Sequence, residues 1–401
     1  MKVLILAGYF PKSHNPAMGA WALEQAKAIQ REGVEVTVVS PTPWIPRVLC
    51  PTTKLKAWAS IPTEYVWDGI RTYYPKGLFF PVSLGKELYA RFPSLQYYPV
   101  CCSVRKLLSL IKWKPDLIYA HHPLIEGLVG LKLKEIVDVP LVIIEHSLTD
   151  IQRALRYRYR RKLYTDVLRN ADAVITVSDR LANLMRQFVN SELEISVIRN
   201  GVDITALPAK RVPKPPAYKD NKVVLSVGWL AERKGHRILI QAIKKIVPDI
   251  PSVKCIIVGQ GPQGRQLRNL IEQLDLEEHV ELTGNMPHRD LLSLMAWCDV
   301  FALPSWDEPF PTVFPEAMGC GTPIIGTKGE GIAEVVEDGK QGLLVPPKDV
   351  DSLAKALMTL LKNDDLARRM GEEGRKLVLK DLSWQANAAK TISVFEKLLA
   401  R

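Results

Sequence analysis

The sequence has no apolar run of membrane-spanning length near its start. In MKVLILAGYFPKSH the run is about six residues behind one lysine, short of a secretory core and of the roughly 20 residues that cross a bilayer. Cysteine is sparse. The six residues Cys50, Cys101, Cys102, Cys255, Cys298 and Cys320 include no C-x-x-C pair, so neither a zinc ribbon nor a disulfide framework fits the spacing. No D-x-D stands at the end of an expected strand, no His, Cys and carboxylate spacing makes a metal centre, and there is no short repeat or low-complexity tract. These absences lead to the expectation of a soluble cytoplasmic chain in a reducing compartment, without a cofactor or metal of its own. At 401 residues, with 47% hydrophobic and 24% charged, it is too long for one ordinary core and too apolar for disorder, so two domains are expected.

Charge is present in excess on one side. The first 200 residues hold 27 Lys and Arg against 17 Asp and Glu, and the remainder 27 against 26, so nearly all of the formal +11 sits in the first half. The densest part is Arg153-Ala-Leu-Arg156-Tyr-Arg158-Tyr-Arg160-Arg161-Lys162. It admits three readings: a solvated helix face, a helix lying on an anionic membrane, or a nucleic-acid patch.

Apolar runs of strand length alternate with helical patterns throughout, which predicts parallel sheets built from βαβ units. The first half offers strands at Lys2 to Gly8, Val34 to Val39, Asp116 to Ala120, Pro140 to Ile144, Ala173 to Val177 and Ile195 to Ile198. Helices are expected near Gly19 to Arg31, Leu124 to Lys134, Arg153 to Arg169 and Ser178 to Val189. Residues 42 to 100 are rich in proline and aromatics and show no clear pattern. From Gly201 to Asn221 four prolines and the lack of any period read as a linker. A second series comes after it, with strands at Lys222 to Val227, Val253 to Val258, Val280 to Thr283, Val300 to Leu303, Pro323 to Gly326 and Gly342 to Val345. The expected architecture is α/β, with two doubly wound Rossmann-like domains over 1–199 and 200–383. The last helix, 384–401, is free to pack back on the first domain. Open sheets of this kind bind ligands at their carboxyl ends, so the active site is expected in a cleft between the domains.

Several residues stand where chemistry is expected. Gly259-Gln-Gly261-Pro-Gln-Gly264 comes after a strand and opens a helix, satisfying G-x-G-x-x-G; it reads either as a dinucleotide turn or as a tight strand-to-helix turn lining a nucleotide cleft. Glu308 lies in a Pro-rich loop after a strand, and Glu316 stands eight residues on, about a turn into a helix. A carboxylate accepts two hydrogen bonds from a cis-diol such as ribose, and free N–H groups at a helix start favour negative charge nearby; exposed glutamates are the plainer reading. Lys234, after the first strand of the second domain, is placed to hold a diphosphate, or is a surface lysine. Gly19 opens the first helix, where a missing Cβ lets backbone approach a ligand, or is a plain loop glycine. His121, His122 and His146 all come after strands on the side where ligands bind.

These residues form ordered motifs: Asn200-Gly-Val-Asp203, Val227-Gly-x5-Lys234-Gly, Val258-Gly-Gln-Gly-Pro262, Asp299-Val-Phe-Ala-Leu-Pro-Ser305, Glu308-x7-Glu316, Gly329-Glu-Gly-Ile-Ala-Glu334 and Gly339-x2-Gly-Leu-Leu-Val-Pro346. Together they resemble the second domain of glycosyltransferase family 4, retaining enzymes of the GT-B fold that use nucleotide-sugar donors. The first domain is similar more loosely, through Gly19, Tyr119-Ala-His-His and the strand ending at His146-Ser. The resemblance implies that Glu316 holds the ribose hydroxyls, Glu308 lies by the transferred sugar, and backbone N–H groups around Phe310, Thr312 and Val313 meet sugar and phosphate. It further implies that Lys234 neutralises the diphosphate, that Asn200, Gly259 and Gly19 line the donor site, and that His146 lies near acceptor and sugar.

The chain departs from that pattern in three places. Trp229 stands where the family usually has Arg, with Arg233 the candidate substitute; Pro309-Phe310-Pro311 replaces Gly-Phe-Gly, removing two N–H donors; and Glu330 separates two usually paired glycines, where it either touches the donor or faces water. The expected activity is retaining, metal-independent transfer of a sugar from a nucleotide diphosphate to a hydroxyl. The acceptor is expected to be lipid-linked or a polysaccharide at the inner membrane face, with Arg153, Arg156, Arg158, Arg160, Arg161 and Lys162 as the contact and no nucleic acid bound. A nucleotide-sugar 2-epimerase of the same shape and a NAD-dependent oxidoreductase built on the Gly259 turn are the alternatives.

Overall fold

The structure, a computed structural model, describes residues 1–46, 52–77, 91–92, 94–189 and 193–400. Cys50, and residues 78–90 of the stretch without clear pattern, lie outside them. The chain divides into two compact units, Met1–Arg199 with Trp384–Arg401, and Asn200–Ser383.

In unit 1 the strands are β1 (Lys2–Leu6), β2 (Glu35–Val39), β3 (Thr42–Pro43), β4 (Glu64–Trp67), β5 (Ile70–Tyr73), β6 (Lys76–Gly77), β7 (Leu117–His121), β8 (Leu141–Glu145), β9 (Ala173–Thr176) and β10 (Ile195–Val197). Eight form one sheet in the order β10-β9-β8-β7-β1-β2-β5-β4. All pairs are parallel except β4 with β5. The exception is local: Asp68-Gly69 both take positive φ, the geometry of a tight hairpin turn. β7 and β8 are buried along their whole length, as parallel strands covered on both faces must be. So the patternless stretch supplies part of the same sheet, since β5 pairs with β2.

Helix Trp384–Leu399 lies in unit 1 and packs on helix Ala20–Arg31. Gln25 Nε2 donates to Asn387 Oδ1 at 2.8 Å, Asn387 Nδ2 donates to the Arg199 carbonyl at 2.8 Å, and Phe395 meets Tyr119 edge to face at 5.2 Å.

The expected helix from Arg153 to Arg169 is two helices, Leu148–Arg156 and Arg158–Asn170, broken at Tyr157 (φ −125, ψ 123). Unbroken, it would stack Arg153, Arg156 and Arg160 at i, i+3 and i+4 spacings, where like charges repel.

Unit 2 holds β11 (Lys222–Val227), β12 (Val253–Val258), β13 (Val280–Gly284), β14 (Val300–Ala302), β15 (Ile324–Thr327) and β16 (Gly342–Val345) in the parallel order β13-β12-β11-β14-β15-β16. The segment expected to be a linker is fastened to this unit. Arg211 Nη1 donates to the Gly321 carbonyl and to Thr322 Oγ1, and Lys214 Nζ reaches Asp299 Oδ2 at 2.6 Å. Backbone fastens it as well, Val212 N–H donating to the Ala296 carbonyl at 3.2 Å.

Candidate active site

In unit 2 the strand order reverses between β11 and β14, so the loops after them leave on opposite sides of a crevice at the carboxyl ends of the strands. The loop after β11 carries Arg233 and Lys234 in the single turn Glu232–Lys234; the loop after β14 carries Glu308. A backbone bond from Trp306 N–H to the Arg233 carbonyl, 2.8 Å, ties the two loops. Lys234 Nζ then stands 3.0 Å from Glu308 Oε1, and the Arg233 guanidinium contacts the same oxygen. Glu308 is only 5% exposed. Burial, and behind it the Arg233 charge, push the Lys234 ammonium down to about 7.

Glu330 does not face water. It is buried, and its Oε2 accepts the Glu308 N–H at 2.9 Å, while Gly331 N–H donates to the Glu308 carbonyl at 3.2 Å. A Cβ on Gly331 would stand 1.5 Å from the Pro309 carbonyl oxygen, so only glycine permits this approach. The Pro309-Phe310-Pro311 loop is thereby held through Glu308 backbone despite its two missing donors. Phe310 is buried and Thr312 and Val313 are half-buried. Glu316 Oε1 lies 3.1 Å from His288 Nε2, a partner that sequence reasoning missed because 28 residues separate the two. Trp229, in the place of the usual Arg, is 53% exposed. Asn200 is buried with its Oδ1 unpartnered among the described residues.

The G-x-G-x-x-G turn has a packing explanation. A Cβ on Gly259 would meet the Gly228 carbonyl at 2.0 Å, and one on Gly261 would meet Leu230 backbone within 2.8 Å. The glycines let this turn approach the β11 loop, and the dinucleotide alternative is not needed to explain them.

In unit 1 the residues after β7 and β8 gather. His121 stacks on Trp21 at a ring separation of 5.5 Å, His146 lies tilted against the same ring at 4.1 Å, and no described residue bonds to either imidazole. Burial, then the charges of His121 and His122, hold His146 well below its usual range, so it is neutral. His122 behaves oppositely. Burial would lower it, but Glu145 Oε1 at 3.0 Å, Asp150 Oδ2 at 3.4 Å and the Glu126 charge together raise it to about 9. Glu145 also accepts from Ser147 N–H and Tyr164 Oη. His122 and Ile125 both take positive φ, which marks this turn as strained.

No sequence spacing pointed to His122, Glu145 and Asp150 as a group, yet their ligand atoms lie within 4.8 Å of one another. The one signal was a carboxylate ending an apolar strand, Leu-Val-Ile-Ile-Glu145. Gly19 (φ 65) has the space of its absent Cβ filled by Tyr9 and Phe10 backbone. Of the basic segment, Arg153, Arg156, Arg158, Arg161 and Lys162 are exposed and Arg160 is half-buried. Among the described residues no helix is long and apolar enough to cross a membrane.

Residues 18–206 match the family described as Glycosyltransferase Family 4, and residues 209–377 match Glycosyl transferases group 1. The chain is 30% identical over 285 residues to an uncharacterized glycosyltransferase of Methanocaldococcus jannaschii, spanning 71% of this chain and 76% of that protein. It is similar in structure to sucrose-phosphate synthase from Thermosynechococcus elongatus (TM-score 0.80, 23% identity, 100% of this chain and 99% of that one). It is also similar to HepE of Anabaena in complex with UDP-glucose (TM-score 0.70, 23% identity, 99% of this chain and 100% of that one). At these identities the two structures bear on the fold alone.

Proposed function

The chain belongs to glycosyltransferase family 4, and from that premise we propose that it transfers a sugar, with retention and without a metal, from a nucleotide-diphosphate-sugar to a hydroxyl of a lipid-linked or saccharide acceptor. Its fold is GT-B, two doubly wound α/β units. The observation that carries the reading is the meeting of Arg233 and Lys234 with Glu308 at the strand-order reversal of unit 2. HepE, a structural neighbour, was solved with UDP-glucose, which supports a nucleotide-sugar donor here.

In this reading the acceptor oxygen bonds to the anomeric carbon on the face the leaving group vacates. The bond from that carbon to the phosphate oxygen breaks with its electron pair, and the acceptor proton passes to the departing phosphate. Lys234 and Arg233 take up the charge that builds there. Glu308 serves as a ligand for sugar hydroxyls, since a carboxylate neutralised by two cations is a poor nucleophile. Glu316 accepts the ribose hydroxyls, and the neutral His146 is assigned to the acceptor. The exposed Arg153, Arg156, Arg158, Arg161 and Lys162 support contact with an anionic membrane.

The test is a thermal-shift screen against UDP, GDP, ADP and NAD without added metal. One nucleoside diphosphate is expected to raise the melting temperature, about 2.7 kcal/mol of stabilisation at 100 times its Kd. A shift with NAD alone overturns the reading. Flotation with anionic vesicles is expected to weaken as salt rises, and salt-insensitive or absent flotation overturns the membrane contact.

A further inference from the structure

Strands β2 and β5 both continue, as β3 and β6, past the carboxyl edge of the unit 1 sheet. The two short strands pair in parallel with Thr42 opposite Lys76, and Trp44 N–H donates to the Gly77 carbonyl at 2.7 Å. This sets Trp44 beside Lys76 at the end of the sheet where open α/β folds take ligands. Trp44, Ile45, Pro46, Ala59 and Lys76 line a cavity of about 340 Å³. Four of these five side chains are apolar and the fifth is an ammonium.

That ammonium is uncompensated. Lys76 Nζ is buried, and among the described residues it has no hydrogen-bond partner. Its charge also acts on Lys12, which is wholly buried, bonded to Ser40 Oγ and set over the Tyr74 ring at 4.7 Å. His14, packed edge-on to Trp58 at 5.1 Å, feels the Lys12 charge in turn. Against these bases, Glu126 is the one carboxylate among the described residues whose charge favours the Lys12 ammonium. A buried ammonium without an acceptor is costly, and an oxyanion satisfies it with charge-assisted bonds. The apolar wall gives a bare inorganic anion nothing to bind, and Trp44, 50% exposed, offers a large apolar face at the cavity.

We propose that this cavity is an acceptor subsite, taking a phosphate ester whose oxyanion pairs with Lys76 and whose hydrocarbon body lies against Trp44, Ile45, Pro46 and Ala59. The assignment of the ligand as acceptor rests on the glycosyltransferase reading; the binding of such an anion does not.

The experiment is calorimetry on the full chain with geranyl phosphate, geraniol, inorganic phosphate and trigalacturonate, repeated on Lys76→Ala and Trp44→Ala, with UDP titrated into every sample. Geranyl phosphate is expected to bind at least tenfold more tightly than the other three probes. Each substitution is expected to weaken it tenfold or more while the UDP Kd stays within twofold. Binding of geranyl phosphate within twofold of wild type in Lys76→Ala overturns the proposal, as does geraniol or inorganic phosphate binding equally well. Tighter binding of trigalacturonate, lost with Lys76→Ala, overturns the hydrocarbon assignment in favour of an acidic sugar. If UDP fails to bind wild type and neither GDP nor ADP shifts its melting temperature, while geranyl phosphate keeps its dependence on Lys76, the transferase reading falls and the anion site stands.

Discussion

Replacing Lys234 by methionine keeps the length of the side chain and removes its charge, and the structure predicts opposite fates for activity and stability. The ammonium is 12% exposed and held near 7 against an ordinary 10.5, so its charged form carries a burial penalty on the order of 4–5 kcal/mol. Glu308 repays part of that penalty. Removing one partner of a buried ion pair usually costs about 3–5 kcal/mol, because a lone charge is left behind. Here Glu308 keeps Arg233. The two effects oppose each other, and the net change in stability is expected within about 1 kcal/mol, or roughly 2–4 °C for a unit of this size.

For catalysis, Arg233, already against Glu308, is the one cation of the pair left to take up charge on the leaving phosphate. The loss of one such contact corresponds to about 2.7–4 kcal/mol, a fall of roughly 10²–10³ in kcat/KM. The assay pairs urea unfolding with initial rates on the nucleotide sugar selected by thermal shift. A stability loss above about 3 kcal/mol together with kcat/KM within about twofold of wild type would refute the reasoning, making Lys234 a structural partner of Glu308.

Other perturbations probe different parts. His122 titrates near 9 in the fold against 6.5 unfolded, so its stabilisation is complete below about pH 6.5 and is lost as pH rises through 9, by about 3 kcal/mol; urea midpoints of wild type minus His122→Gln should trace that loss, and a pH-independent difference would contradict it. Glu330→Ala leaves the buried Glu308 N–H without its acceptor, costing about 1–3 kcal/mol, while Glu330→Gln retains a carbonyl. Donor KM should rise for the alanine variant and much less for glutamine, and equal values would show the bond to be idle. Phe395→Ala removes a ring with no exposed surface from its contact with Tyr119, and about 3–5 kcal/mol should be lost from unit 1 in a melting scan; an unchanged scan would mean that the C-terminal helix is not an integral part of that unit.

Much of the fold could be read along the chain, because parallel strands buried on both faces appear as short unbroken apolar runs. Leu-Ile-Tyr-Ala-His121 and Leu-Val-Ile-Ile-Glu145 are such runs, and each ends in a polar residue where the strand leaves the sheet. Backbone interruptions were harder to see. Nothing in Arg156-Tyr157-Arg158 has the proline or glycine that announces a break, and the long helix expected there is divided by Tyr157. Prolines misled in the other direction: 201–221 reads as a tether, yet Arg211 and Lys214 fasten it to unit 2.

The residue types of the site were legible too, but not their partners. Local pattern alone places an acid after one strand and two cations after another, because it sets where a strand ends and which residues open the loop beyond. Folding then chose the partners: Glu308 meets Arg233 and Lys234, Glu330 holds Glu308, and His122 finds Glu145 and Asp150. For Glu308 the cause is strand order. Neighbours in a parallel sheet are chosen by how the crossover helices pack, so β11 lies beside β14 across more than 70 residues of chain, a distance over which no local periodicity carries information.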